Sequence, residues 1–424
     1  MKTIIKIIYS YLLLPLLIFA TGLISIFKSK YRKAFTERFF VFSNLRSYLS
    51  PEKSNKKNIL IHCASMGEFE HIKPLIARLS ENPSNAIILT FFSPSGYEHV
   101  KEYTGIDLIL YLPFDFPGTW QKIYQLLRPV FLIISKHDAW PNQIWMANKN
   151  KIPVFLVNAS LNEKSSRIKG ISGLLFNEVY KSFDQIYAVS ESDKTNFETY
   201  FKDVSVQTFG DTKFDQVVLR KKQSENTVHI PDDWVSKNIV MIFGSVWPED
   251  LVHLKNPIKD ILKNHKDVKI IIVPHQPDNN HINEIKQFLT DESTSLFTSK
   301  SFSHEKRVLI INTVGVLADL YKYADIAYVG GSFKQGIHNV MEPAIYGIPV
   351  VYGPIHKNSN DAIQLLQKNG SLQIENKEQA LEAFNRLISD EKYRNQLGEN
   401  AQAFALNHTG VSDKLIQQWQ SYFK

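Results

Sequence analysis

Short unbroken apolar runs recur along this chain, separated by longer stretches in which apolar positions return at helical spacing. In the first half they fall at 59–62, 86–90, 108–111, 130–134, 154–157 and 185–189. After a polar stretch from Arg220 to Asn226 that ends near Pro231, the rhythm restarts at 238–243, 268–273, 308–311, 326–329 and 350–352. Continuous runs of this length predict strands buried on both faces, and the helical stretches between them predict covering layers. The expectation is an α/β chain with two parallel sheets. Its boundaries are set at 1–36, 50–225, 236–407 and 408–424, with the linker between 220 and 236. The last segment, 411–423, has helical spacing.

The amino terminus breaks this pattern. No charged residue occurs from Ile7 to Phe27, and a helix of that length just reaches across bilayer hydrocarbon. Pro15, Thr21 and Gly22 are tolerated inside such helices. Lys28, Lys30, Arg32 and Lys33 follow the run, whereas Lys2 and Lys6 precede it. The basic excess after the run puts the remaining chain on the cytoplasmic face of the membrane. An Ala-x-Ala cleavage site is absent, which argues against a removed signal peptide. A buried or interfacial helix is the alternative, and either arrangement seeks membrane lipid.

Composition narrows the classes. A chain of 424 residues, 44% hydrophobic and 21% charged, has material for two domains and no bias toward disorder. Its formal charge of +7 suits nucleic acid, a phosphorylated small molecule or an anionic membrane. Nucleic acid explains neither the apolar amino terminus nor the loop around Glu342. A single cysteine, Cys63, excludes an internal disulfide and a cysteine-based metal cluster.

The chemistry-bearing residues gather at predicted strand ends. Ser65, Met66 and Gly67 turn the chain after the first strand and bring Glu68 to a helix start. A carboxylate there can take a proton from an attacking hydroxyl, or can simply complement the positive helix end. Lys136, His137 and Asp138 follow the 130–134 strand, where an anionic acceptor group can be met; Trp140 and Pro141 read as packing. In the second half Gly244 and Ser245 follow a strand and offer amides to a phosphate, as ordinary turns also do. His275 follows another strand and can pair with phosphate or remain structural. Gly330, Gly331 and Ser332 lead to Gly336, with Asn339 placed to cap a helix that presents Glu342. Gly353, Pro354 and Asn358 follow the next strand. This Gly-rich turn, short helix and single acid is the arrangement with which two-domain nucleotide-sugar glycosyltransferases hold a donor, amides to phosphate and acid to ribose. No Walker loop occurs, and the scattered histidines without Asp-x-Asp point to transfer without a metal or other cofactor.

In order along the chain stand His62-x-x-Ser65-x-Gly67-Glu68, Trp140-Pro141-Asn142, Leu156-Val157-Asn158-Ala159 with Arg167, and Ser190-Glu191-x-Asp193. Then come Gly210-Asp211-Thr212-Lys213-Phe214-Asp215, Gly244-Ser245, and His338-Asn339-x-x-Glu342-Pro343-Ala344. Over essentially its whole length the chain resembles the 3-deoxy-D-manno-octulosonic acid (Kdo) transferases of lipopolysaccharide synthesis. The resemblance implies two Rossmann-like domains in the glycosyltransferase-B architecture, behind an N-terminal membrane-anchor helix. It implies an acceptor-binding domain at 50–225, a donor-binding domain at 236–407, and a last helix that packs back on the first domain. It further implies transfer of Kdo from CMP-Kdo to a lipid A precursor (lipid IVA), with inversion. By the resemblance Glu68 is the base, and Gly244, Ser245, Asn339, Glu342, Gly353, Pro354 and Asn358 bind the donor. Lys213 joins them, with Gly336 and His275 assigned from their loops. Ser65, Gly67, Lys136, His137 and Asp138 are assigned to the acceptor.

The chain also departs from the family. Lys136-His137-Asp138 stands where Glu-Thr-Glu is usual. His275-Gln276-Pro277-Asp278-Asn279 replaces an Arg-His-Pro-Glu-Arg element, and Val246-Trp247 replaces Thr-His. Two other readings stay open on these residues: a UDP-sugar-dependent membrane glycosyltransferase, and a catalytically degenerate nucleotide-sugar-binding protein.

Overall fold

The computed structural model describes residues 2–49, 56–100, 103–289, 294–300 and 305–423. Met1 and the opening residues 50–55 of the expected acceptor domain lie outside them, as do 290–293 and 301–304 within the expected donor domain. The side chains of Ser29 and Lys30 in the basic flank also lie outside the description. The chain divides into two compact units, 1–216 with 410–424, and 217–409. The division falls within the Lys213–Ser224 helix rather than in an extended linker.

In the first unit strands β1–β7 are Lys57–Cys63, Asn85–Phe91, Leu108–Tyr111, Phe131–Ser135, Val154–Ala159, Gln185–Ala188 and Val206–Thr208. They form a parallel sheet in the order β3-β2-β1-β4-β5-β6-β7. In the second unit β8–β14 are Ile239–Val246, Val268–Pro274, Thr294–Leu296, Val308–Ile310, Ile326–Val329, Val350–Tyr352 and Ser371–Gln373. Their order is β10-β11-β9-β8-β12-β13-β14, again parallel. The central strands are buried on both faces, β2 and β9 along their whole lengths, which is why they read as unbroken apolar runs. In each sheet the strand order reverses beside the first strand, at β1/β4 and at β8/β12. Loops leaving the carboxyl ends diverge there and open a crevice.

A continuous helix covers Thr3–Phe27 and is long and apolar enough, by length and composition, to cross a membrane. It loosens to a π turn over Tyr9–Leu13, just before Pro15, whose ring denies the preceding turn a normal hydrogen bond. Ile8, Leu12, Leu16, Phe19, Leu23 and Phe27 are exposed, but Tyr9, Ser10 and Leu14 are buried against the first unit. Tyr9 donates to Asp115 Oδ2 (2.9 Å) and Ser10 to Asn142 Oδ1 (3.0 Å). Asp115 also accepts from Trp120 Nε1 and from the amides of Asn142 and Gln143. Even with these donors, burial pushes its carboxyl up to about 7. The chain then reverses into the Ser29–Glu37 helix, where Arg32 donates to the carbonyls of Ser25 and Ile26 and closes the hairpin.

The carboxyl-terminal Val411–Gln418 helix belongs to the first unit. Asp215 accepts the amides of Gly410 (2.6 Å) and Ser412 (2.7 Å). Trp419 is fully buried, stacks on Phe155 at 5.1 Å and donates to the Tyr187 hydroxyl.

Candidate active site

Parallel pairing sets His62 of β1 opposite Thr90 of β2 on one side and Ile134 of β4 on the other. The loops leaving β1 and β4 therefore start side by side. His62 is fully buried; its Nδ1 meets Thr90 Oγ1 at 3.0 Å and its Nε2 meets Asp138 Oδ2 at 2.9 Å. The same Asp138 oxygen accepts from Trp140 Nε1 at 3.1 Å. Burial alone would raise the Asp138 carboxyl, but the hydrogen bond and proximity of His62, with Trp140, hold it below the usual range.

The helix after β1 spans Met66–Ser80 with Ser65 as its N-cap and Glu68 in its first turn. Glu68 is buried, and its Oε2 accepts the Ala64 amide at 2.6 Å. It thereby reaches back past the N-cap to the residue before it. Burial dominates the carboxyl and raises its pKa above the ordinary value, against the lowering effects of the Ala64 amide and His62. Ser65 is half-buried and Gly67 is exposed beside it. One oxygen is thus held by the backbone before the helix, and burial makes the group more basic.

Lys136 takes a left-handed φ of 58° directly after β4, and its Nζ lies 3.4 Å from His71 Nε2. His71 Nδ1 in turn meets Asp211 Oδ1 at 3.1 Å, and Lys213 donates its amide to the same carboxylate. Lys213 therefore belongs to the first unit, where its amide shares Asp211 with His71. His137 is half-buried, and burial followed by the charge of Arg167 lowers its pKa.

In the second unit one expectation is corrected. Gly244 and Ser245 do not form a strand-to-helix turn, because β8 runs on to Val246 with a register shift against β9 between Phe243 and Val246. Ser245 sits at that irregularity with φ 54°. A side chain at position 244 would collide with the Tyr321 hydroxyl, so packing alone demands glycine there. The turn itself is made by Trp247, N-cap of the Pro248–Asn264 helix. Asp250 knits this turn to the loop after β12: Oδ2 accepts the amides of Trp247 (2.9 Å) and Gly331 (2.8 Å), and Oδ1 accepts the Tyr328 hydroxyl.

Trp247 Nε1 donates to His338 Nε2 at 3.0 Å, and the two rings are within 3° of coplanar. Indole is a donor only, so His338 Nε2 must be the unprotonated nitrogen. His275 lies across this plate, 4.1 Å from Trp247 and 4.7 Å from His338. It is thus a stacked ring rather than an isolated loop cation, with its pKa lowered by burial and by His281.

The remaining assigned residues come together. Asn358 grips the backbone of Ile337 with both amide atoms (3.1 and 3.0 Å). Gly336 has φ 102°, and a Cβ there would stand 2.9 Å from the Asn358 side chain. Gly353 donates its amide to Ser332 Oγ, with half-buried Pro354 following. Asn339 Oδ1 accepts the Met341 amide and its Nδ2 reaches Glu342 Oε1 at 3.3 Å. Glu342 also receives Arg220 Nη1 at 3.2 Å; burial still raises its pKa, with Arg220 opposing. Sequence reasoning missed Arg220, Asp250 and Trp247. Pro248 at the helix start with an acid two residues on was the available signal for Asp250. Among the described residues no group of three or more His, Cys, Asp or Glu side chains is arranged to hold a metal.

The 3-deoxy-D-manno-octulosonic-acid transferase (kdotransferase) family profile matches residues 33–216. A 3-deoxy-D-manno-octulosonic acid transferase of Aquifex aeolicus is 30% identical over 83% of this chain and 92% of its own length. The transferase of Haemophilus influenzae is 26% identical over 97% and 96%. Among solved structures, UDP-GlcNAc 2-epimerase from Neisseria meningitidis superposes with a TM-score of 0.62 at 13% identity, covering 86% of this chain and all of the other. A putative UDP-N-acetylglucosamine 2-epimerase from Listeria monocytogenes gives 0.61 at 12% identity, over 87% and 97%. At such identities the likeness is one of fold, the paired Rossmann-like units of the glycosyltransferase-B class. The aligned length shared with the Aquifex relative carries the further conclusion: the chain belongs to the 3-deoxy-D-manno-octulosonic acid transferase family and is a membrane-associated glycosyltransferase.

Proposed function

We propose that this protein transfers Kdo from CMP-Kdo to a lipid A precursor, lipid IVA, with inversion and without a metal, at the cytoplasmic face of the inner membrane. The observation that carries the reading is Glu68: a buried carboxylate of raised pKa at the β1/β4 crevice, with one oxygen held by the Ala64 amide. In this reading the other oxygen takes the proton of the acceptor hydroxyl as that oxygen bonds to the anomeric carbon. The bond from the anomeric carbon to the CMP phosphate oxygen breaks on the opposite side, which inverts the centre, and CMP departs with the electron pair.

The hydrogen bond from buried His62 then keeps half-buried Asp138 ionised and fixed beside the base, while Lys136 and His137 line the approach of an anionic acceptor. Charge on the donor falls to amides of the loops after β8, β12 and β13, with Asn358 and the Arg220–Glu342 pair shaping them. The basic excess after the apolar helix supports the cytoplasmic orientation. Lys213, whose amide is held by Asp211, contributes its side chain to the donor in this reading.

The test is mass spectrometry of products from tetraacylated precursor and CMP-Kdo in chelator-treated buffer. Addition of one or more Kdo residues is expected. Turnover of UDP-sugars instead, or donor binding without any product, would overturn the reading in favour of one of the two alternatives.

A further inference from the structure

Between the amino-terminal hairpin and the first unit lies a cavity of about 450 Å³, within the size range of small-molecule sites. Leu14, Ile18 and Phe35 of the hairpin form one wall, and Leu112, Phe114 and Trp140 form the other. Lys28 and Arg38 also line it. Arg38 is committed to the carbonyls of Leu112 and Phe92 and so pins the hairpin in place, whereas Lys28 brings a cation to the cavity.

Three observations bear on its occupant. The hairpin's outer surface carries exposed Leu12, Leu13, Leu16 and Phe19, so this part of the molecule meets lipid. Its inner surface is turned to the first unit instead: Tyr9 and Ser10 are bonded to Asp115 and Asn142, and Leu14, Ile18 and Thr21 line the cavity. Finally, Trp140 belongs to both the cavity and the candidate active site. Its ring is a wall, stacked on Phe92 at 5.3 Å, while its Nε1 donates to Asp138. Asp138 is bonded to His62, one loop away from Glu68.

We infer that this cavity takes an acyl chain of the lipid acceptor, threaded between the hairpin and the first unit so that its sugar headgroup lies past Trp140 at Asp138 and Glu68. The inference rests on the proposed lipid acceptor. It adds that the amino-terminal helix lies along one leaflet, with one side on protein, instead of passing through the bilayer. Lys28 sits where a phosphate of such a lipid would be met.

The test uses the full-length enzyme in mixed micelles with a tetraacylated precursor that carries a diazirine in one acyl chain. Photoadducts are expected on cavity residues such as Ile18, Phe35 and Phe114. Ile18→Trp, which fills the cavity, should raise KM for the acylated acceptor about tenfold with KM for the donor unchanged. Leu16→Trp adds the same bulk to the outer surface and should change neither. Adducts confined to Leu12, Leu13 and Leu16, or an unaltered acceptor KM in a folded, donor-binding Ile18→Trp enzyme, would overturn the inference while leaving the proposed reaction intact. Cavity adducts in a wild-type enzyme that transfers no Kdo would instead sink the proposed reaction and keep the lipid site.

Discussion

In the proposed reaction Glu68 divides its two oxygens between structure and chemistry, and its substitutions should separate them. Glu68→Gln retains an oxygen for the Ala64 amide but removes the base, so kcat should fall by about 10²–10⁴ with donor affinity nearly unchanged, measured by steady-state kinetics and calorimetry. The pH dependence follows with a definite sign. Only the ionised carboxylate accepts a proton, and burial raises its pKa. Activity should therefore fall as pH drops through a value above that of a free glutamate, a limb absent in Glu68→Gln. In the second unit, Trp247→Phe preserves the stacked ring and deletes the donor to His338 Nε2. The His338 tautomer should then become mixed in ¹⁵N NMR spectra. Glu68 was visible in the sequence because it stands three residues after a Ser at the end of an apolar run. Arg220 was not, because its partner Glu342 is 122 positions away and nothing local distinguishes it from its lysine neighbours. Arg220→Ala should leave Glu342 in a less compensated burial, costing about 1–3 kcal/mol in urea unfolding of the second unit.

Among elements, the central strands were legible because burial on both faces writes an unbroken apolar run. Strands β7, β10 and β14 were not read from the sequence. Each is three residues long and lies at a sheet edge, where half the surroundings are polar. The turn after β8 was misplaced by a related effect: the irregularity at Ser245 lets the strand resume after a Gly-Ser pair that looks like its end. For the amino-terminal helix, length and apolarity were legible but not its docking, since the Phe114-Asp115-Phe116 segment that receives Tyr9 carries no local pattern. Tyr9→Phe removes a hydrogen bond to a buried carboxyl whose other donors remain. We expect a loss of about 1.5–3 kcal/mol, read as faster proteolysis within residues 3–27 and a lower urea midpoint for the first unit.

At the scale of the molecule, the first unit is assembled from both ends of the sequence and the second from the stretch between. Deleting residues 410–424 removes the partners of Asp215 and leaves Phe155 and Tyr187 without Trp419. Two thermal transitions should become one in calorimetry, with the second unit's retained. The order of synthesis gives this arrangement a further meaning. Strands β1–β7 emerge from the ribosome long before the indole that seals them, so the nascent half must wait, its aromatic face uncovered, while nearly two hundred intervening residues are made and are free to fold by themselves. The Trp419 indole, stacked on Phe155 and bonded to Tyr187, is then the latch that closes the first unit.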